Sequence, residues 1–181
     1  VSAIDRVEAN LEGIPLAERA RLAEETDVRC PDPQAAEAMR VRIRQGMQER
    51  DTLGGVIEVV ALGLPPGLGS HVHWDRRLEA RLGAAVLSIQ AIKGIEIGLA
   101  FAVAHLAGTQ AQDGIRLQGE NLIRSSLHAG GLEGGITTGQ PLLLRAAMKP
   151  IASTLTSQQS VDLASAQDVP TLYERSDFCP V

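Results

Sequence analysis

Glycines cluster just ahead of an apolar run that ends in a Lys-Pro pair. They form two pairs, Gly130 with Gly131 and Gly134 with Gly135. Glycine adopts positive φ readily and lets a ligand come close to the backbone, and successive backbone N–H groups can bind an anion. Two glycine pairs also suit a tight corner between strands. The spacing favours the corner, because it matches no established phosphate-binding loop.

A lysine closes the same apolar run. Lys149 precedes "PIAST", so that one cation lies near the hydroxyls of Ser153 and Thr154 in the sequence. A lysine beside hydroxyls suits a phosphate monoester. A lysine that marks where a strand meets solvent explains the pattern equally well, and both interpretations stay open.

Two further stretches hold residues that could do chemistry. In "HVHW", His71 and His73 would share one face of a strand, which is compatible with metal ligation if Asp75 is a third ligand; an ordinary exposed pair is favoured. In "ERSDFC", Arg175 beside Asp177 would keep that carboxylate ionised. An ionised carboxylate can act as a general base, although a surface ion pair also explains the spacing.

The composition is that of a globular protein with one domain. The 181 residues are 44% hydrophobic and 22% charged. A net charge of -5 argues against a nucleic-acid surface, and no apolar run approaches the ~20 residues of a membrane span. Two cysteines predict a reducing compartment. We therefore expect a cytoplasmic protein with no nucleic-acid or membrane partner.

The elements that would position these residues mix helices and strands without regular alternation, which predicts an α+β or sandwich fold. Helices are predicted from Asp32 onward, with an apolar stripe that reaches Met47, and over residues 75–94. Strands are predicted at Val56–Leu62, at 94–98, as a glycine-flanked pair in "GGITTG" and "PLLLRAAM", and at Val161–Leu163. Residues 3–25 are expected to form short helices or a surface arm, and residues 109–127 a loop.

Five stretches, taken together, resemble chorismate synthase. They occur in the order that this family has and cover most of the chain from residue 28 onward. The stretches are "VRCPDPQAAEAM" (28–39), "DTLGGVIEVVALGLPPGLGSHVHWDRRLEARL" (51–82), "SIQAIKGIEIG" (88–98), "HAGGLEGGITTGQPLLLRAAMKPIAST" (128–154) and "ERSDFC" (174–179). We accordingly predict one domain over 1–181, with a variable arm at 1–27 and the family-matching region at 28–181.

The resemblance implies a fold and an activity. The fold would be a sandwich of antiparallel sheets around core helices, assembled as a homotetramer. The activity would be the anti-1,4 elimination of phosphate from 5-enolpyruvylshikimate 3-phosphate to give chorismate, in the shikimate pathway of aromatic amino acid biosynthesis. The reaction would need reduced FMN although it is redox-neutral overall, and NADPH is a candidate reductant for the flavin.

The resemblance also implies site residues. The implied flavin contacts are Gln90, Ala91, Gly134, Lys149, Pro150, Ile151, Ala152, Ser153 and Arg175. Within this set, a side chain at Gly134 would block the approach of the flavin, and Lys149–Ser153 would hold its phosphate end. Asp177 matches the acidic residue that handles a proton at the flavin.

The chain also departs from the family pattern. Leu99 replaces an acidic residue, Leu127 replaces Asn, and Gln112 replaces His or Arg. The family's N-terminal third, with its catalytic histidines, and its C-terminal end have no counterpart here. We therefore expect part of a longer protein that catalyses nothing on its own.

Two other functions stay open. The first is a degenerate or truncated family member with a structural or binding role and no catalysis, which Leu99 and Leu127 motivate. The second is a metal hydrolase that uses His71 and His73.

Overall fold

A computed structural model describes residues 1–172 and 177–181. The chain forms two compact units: Val1–Val56 together with Met148–Val181, and Ile57–Ala147. The helices are α1 (Leu16–Glu24), α2 (Pro33–Glu49), α3 (Leu78–Leu87), α4 (Ala100–Val103) and α5 (Gly108–Ala111), with a 3₁₀ turn at Trp74–Arg76. The strands are β1 (Ala3–Ile4), β2 (Val7–Glu8), β3 (Gly55–Ala61), β4 (Ile92–Ile97), β5 (Ile115–Gln118), β6 (Asn121–Arg124), β7 (Leu132–Glu133), β8 (Ile136–Thr137), β9 (Leu142–Met148), β10 (Gln159–Asp162) and β11 (Gln167–Pro170).

The largest sheet has five strands in the order β2-β1-β3-β9-β4. Strand β1 pairs antiparallel with β2 and with the start of β3, where Ala3 lies opposite Val56 and Ile4 opposite Gly55. Three antiparallel hairpins join β5 to β6, β7 to β8, and β10 to β11. This mixture of helices and antiparallel sheets confirms the predicted α+β fold class.

Helix α2 begins where its sequence predicts. The Asp32 side chain accepts hydrogen bonds from the backbone N–H groups of Gln34, at 2.9 Å, and Ala35, at 3.2 Å. It thereby satisfies two of the donors that a helix start leaves free. Pro33 occupies the first helical position, where its missing N–H costs nothing.

The core of the first unit forms around one face of α2. Its buried members are Ile4, Cys30, Ala35, Ala36, Met39 and Leu53. Ala36 and Met39 are completely buried, which confirms the first half of the predicted apolar stripe. Met47 is 47% exposed, so the stripe does not extend to the helix end. Full burial of a methionine side chain contributes roughly 1.5–3 kcal/mol.

Apolar runs predict the two long strands correctly. Strand β3 starts and ends one residue before the predicted Val56–Leu62, and β9 occupies most of "PLLLRAAM". The two glycine-flanked strands do not pair with each other: β8, from "GGITTG", pairs with β7, and β9 lies between β3 and β4. The strand expected at Val161–Leu163 is β10, which begins two residues earlier and ends one residue earlier.

Residues 3–8 do not form the predicted short helices or surface arm. They form β1 and β2, and Ile4 is buried in the core. Two-residue strands are too short to produce a periodic pattern, so the sequence shows no strand signal there. The helical prediction holds for α1 only.

The second predicted helix ends earlier than Gly94. Helix α3 stops at Leu87, and Gly94 lies inside β4. Ala91 adopts a φ of +68° just before β4 begins, so the turn forms without the glycine on which the prediction relied. The isoleucines that follow suit a strand better than a helix.

Residues 109–127 do not form the predicted loop. They include the hairpin of β5 and β6, with Leu117 opposite Leu122. Gly119 at the turn has a φ of +64°. A glycine at the first of two turn residues, between the short segments IRLQ and NLIR, is compatible with a two-residue hairpin turn.

No described helix is long and apolar enough to cross a membrane.

Candidate functional site

Segment 149–153 follows β9 and belongs to the first unit. Lys149, Pro150 and Ala152 are exposed, while Ile151 and Ser153 are half-buried. The Lys149 side chain makes no hydrogen bond or ion pair with any residue that the structure describes. Its ammonium group is therefore available to an anionic ligand.

Residues ahead of β3 hold this segment in place. Thr52, which is 7% exposed, donates a hydrogen bond from Oγ1 to the Ile151 carbonyl oxygen at 2.6 Å. A Cβ at Gly54 would overlap the Met148 carbonyl oxygen and come within 2.9 Å of the Pro150 nitrogen. The backbone of the segment passes too close to residue 54 for any side chain to fit.

The same residues hold the segment that contains Asp177. The backbone N–H of Leu53 donates to the Phe178 carbonyl oxygen at 2.8 Å. Asp177, next to Phe178, is exposed. The structure thus brings Asp177 and Lys149–Ser153 to the three residues Thr52–Gly54. Arg175 lies outside the described residues, and its flavin contact stays a prediction.

The four clustered glycines belong to the second unit and have two different environments. All four have positive φ. A Cβ on Gly130, Gly131 or Gly135 would overlap backbone atoms of a neighbouring segment. Gly134, with a φ of +64°, is exposed and has nothing within 4 Å of its Cβ position. The tight corner therefore explains three glycines, and Gly134 has open space that a ligand could enter.

A buried carboxylate fixes the start of this glycine segment. Asp113, which is 7% exposed, accepts hydrogen bonds from the Ser126 hydroxyl, the His128 N–H at 2.8 Å and the Ala129 N–H at 2.9 Å. Burial raises the pKa of the Asp113 carboxyl, but these hydrogen bonds outweigh burial, and the pKa lies below its ordinary value. Asp113 therefore remains ionised at neutral pH.

An arginine fixes the other end of the segment. Arg124 donates from Nη1 to the Asp113 carbonyl oxygen at 2.9 Å and from Nη2 to Glu133 Oε2 at 2.6 Å. Glu133 directly precedes Gly134. The sequence alone does not indicate a role for Asp113 or Thr52, because both act through contacts with residues far away in sequence.

Gln90 and Ala91 lie in the turn between α3 and β4. Gln90 is exposed, and the positive φ of Ala91 is unfavourable for an L residue by about 1–2 kcal/mol. Strained backbone of this kind is frequent at functional sites. Gln90, Ala91 and Gly134 belong to the second unit and the remaining described candidates to the first.

The leucines that depart from the family pattern do not interrupt the glycine segment. The Leu99 side chain is 38% exposed, and its backbone N–H donates to the His128 carbonyl oxygen at 2.9 Å. Leu127 is half-buried. The contact at Leu99 uses the backbone, so any L residue except proline could make it.

His71 and His73 are both exposed. Among residues 1–172 and 177–181, no group of three or more His, Cys, Asp or Glu side chains could hold a metal ion. The geometry therefore gives the metal-hydrolase hypothesis no support.

Comparisons with known proteins agree on one family. A family model described as chorismate synthase matches residues 1–181. A chorismate synthase from Moorella thermoacetica is 52% identical over 165 residues, which are 91% of this chain and 43% of that protein. One from Acidothermus cellulolyticus is 48% identical over 182 residues, with 100% and 46% of the two chains covered.

A crystal structure of chorismate synthase has the same fold, with a TM-score of 0.76 and 42% sequence identity. The match covers 84% of this chain and 48% of that one. The chain thus spans less than half the length of these relatives. The match over all of its residues shows that the chain belongs to the chorismate synthase family.

Proposed function

We propose that the complete protein containing these 181 residues is a chorismate synthase, a lyase. It would eliminate phosphate from 5-enolpyruvylshikimate 3-phosphate in the anti-1,4 sense to give chorismate, with reduced FMN as cofactor. Family membership and the names of the relatives support the activity. The proposal concerns the complete protein, because this chain covers 43–46% of those relatives.

One observation of this structure carries the proposal. Thr52–Gly54 hold both the Lys149–Ser153 segment and the segment of Asp177. A cation that could bind a phosphate group and a carboxylate that could handle a proton are therefore anchored to the same short stretch.

The described residues fit a phosphorylated flavin. In the first unit, Lys149 offers an exposed ammonium group without a protein partner among the described residues, which suits a phosphate group. In the second unit, taken by itself, the open space at Gly134 would accept a flat ring close to the backbone. Reduced FMN, when bound, would supply electron density that helps phosphate to leave. Lys149 would hold the phosphate end of the cofactor, and Asp177 would hold or move a proton beside it.

Other properties belong to the same proposal. NADPH is a candidate reductant for the flavin, and we expect a cytoplasmic homotetramer. Native mass spectrometry of the complete protein, with and without FMN, would determine the number of subunits.

Replacement of Lys149 tests the proposal. Lys149→Ala in the complete protein should weaken FMN binding by roughly 1.5–3 kcal/mol, because it removes a charge-assisted contact. Flavin fluorescence titration measures the dissociation constant. Arg44→Ala is the charge-matched control, since Arg44 is exposed on α2 and far from segment 149–153 in sequence. An unchanged affinity for Lys149→Ala would remove this lysine from the site.

A degenerate family member is the second candidate. It would keep the fold and have a structural or binding role, with no turnover. Anaerobic assays of the complete protein with substrate and chemically reduced FMN separate the two candidates.

A further inference from the structure

Asp113 contacts the glycine segment at its start. Its carboxylate receives the N–H groups of His128 and Ala129 together with the Ser126 hydroxyl. Because Asp113 is 7% exposed, water cannot replace these donors easily, and each contact constrains the backbone strongly.

Asp113 also acts on the end of the segment. Its carbonyl oxygen binds Arg124, and the other terminal nitrogen of Arg124 binds the Glu133 carboxylate. Arg124 is mostly shielded from solvent, with a side chain 19% exposed, and the ion pair at 2.6 Å is short. Residues 128 and 133 are thus both tied to residue 113.

Gly134 follows Glu133 directly, and its own Cα faces open space. The position of the Gly134 backbone, and of the open space beside it, therefore depends on the contacts that hold residues 128–133. Displacement of a binding group by about 1 Å can cost orders of magnitude in function.

We propose that Asp113 is a positioning residue for the cofactor site, whose carboxylate and carbonyl group together fix the backbone that presents Gly134. The proposal rests on the proposed function, since it assumes that FMN approaches Gly134. Asp113 itself does not touch the cofactor.

The test compares two Asp→Asn variants of the complete protein. Asp113→Asn keeps the size of the side chain but replaces one acceptor oxygen by a donor, so that one backbone contact must break. We expect FMN to bind at least about tenfold more weakly, as loss of a charged hydrogen bond predicts. Asp162→Asn is the matched control, because Asp162 accepts from the Ala164 N–H at 2.9 Å and the Ser165 hydroxyl at 2.7 Å in another hairpin.

A double-mutant cycle separates positioning from general destabilisation. Gly134→Ala alone should weaken FMN binding by obstructing the open side. In the Asp113→Asn background, Gly134→Ala should weaken FMN binding by a smaller factor, because Gly134 is already displaced. If the two substitutions acted independently, the factors by which each weakens FMN binding would multiply. Hydrogen exchange at the His128 and Ala129 amides should accelerate in Asp113→Asn and not in Asp162→Asn.

The outcomes are distinguishable. If the wild-type protein does not bind FMN, the proposed function and this inference both fail. If the wild type binds FMN and folded Asp113→Asn binds it equally well, or if the two effects simply multiply, the inference alone fails. Should Asp113→Asn not fold, Ser126→Ala removes one of the three hydrogen bonds, and an unchanged FMN affinity in that variant overturns the inference.

Discussion

At the scale of single residues, the four clustered glycines have different reasons to be glycine. Three of them lie where neighbouring backbone leaves no room for a Cβ, and Gly134 lies beside open space. The sequence predicts a need for glycine but not this division, because spacing along the chain does not show which atoms lie opposite each Cα. For the same reason, the sequence does not indicate the contacts of Asp113 and Thr52.

Alanine substitutions should separate these two kinds of glycine. Gly131→Ala should destabilise the protein by about 3 kcal/mol, because its Cβ would overlap the Pro141 carbonyl oxygen and its φ is +82°. Gly134→Ala should cost only about 1 kcal/mol, from its positive φ. Urea unfolding measures both, and equal losses would contradict the assignment.

The Asp113 carboxylate should make stability depend on pH at the acidic end. Its folded-state pKa is lowered by hydrogen bonds from Ser126, Ala129 and His128 that outweigh the opposing effect of burial. The ionised carboxylate therefore contributes fully to the free energy of unfolding above the pKa of an Asp in the unfolded chain, about 3.9. This contribution is lost as the pH falls through the lower pKa of Asp113 in the folded protein.

Asp113→Asn does not titrate and provides the comparison. The difference in unfolding free energy between wild type and variant should be constant above about pH 5 and shrink below about pH 4. Urea unfolding between pH 3 and pH 7 measures it. A difference that persists undiminished at pH 3 would show that the ionised carboxylate is not responsible.

At the scale of elements, prediction succeeded where the signal was local. Asp32 and Pro33 mark the start of α2 through their own chemistry, and β3 is an apolar run long enough to recognise. It failed for β1 and β2, which are two residues long, and at Ala91, whose left-handed turn no propensity predicts. Those elements depend on partners that are distant in sequence.

Thr52 connects the stretch before β3 to segment 149–153 through a single side chain. Thr52→Val keeps the shape but leaves the Ile151 carbonyl oxygen without this donor. We expect a loss of about 1 kcal/mol in stability and weaker FMN binding by the complete protein. Thermal unfolding and flavin titration are the measurements, with Thr26→Val as control because its hydroxyl binds the Ala23 and Cys30 backbone instead. Normal FMN affinity in Thr52→Val would mean that segment 149–153 does not need this contact.

At the scale of the whole molecule, the resemblance found in the sequence named the family correctly, and the match extends over residues 1–181. The ordered set of motifs supplied that information, whereas composition and charge supplied only the class of globular protein. The residues expected to bind the flavin stay predictions, because they were assigned by matching motifs rather than by geometry.

The proposed catalysis concerns the complete protein, and Asp177 is the residue of this chain that we expect to take part in it. Asp177→Asn should slow turnover while leaving FMN affinity nearly unchanged, because an amide cannot exchange the proton but has the same size. Anaerobic steady-state assays and flavin titration measure the two quantities. A normal rate would clear Asp177 of a catalytic role.

The contacts of Thr52–Gly54 restrict insertions and deletions in the stretch that leads into β3. An inserted or deleted residue here would shift the register of β3 by one, which exchanges the two faces of the strand. It would also move Thr52 away from Ile151 or Leu53 away from Phe178. We therefore expect the number of residues between Thr52 and β3 to be the same in homologous proteins.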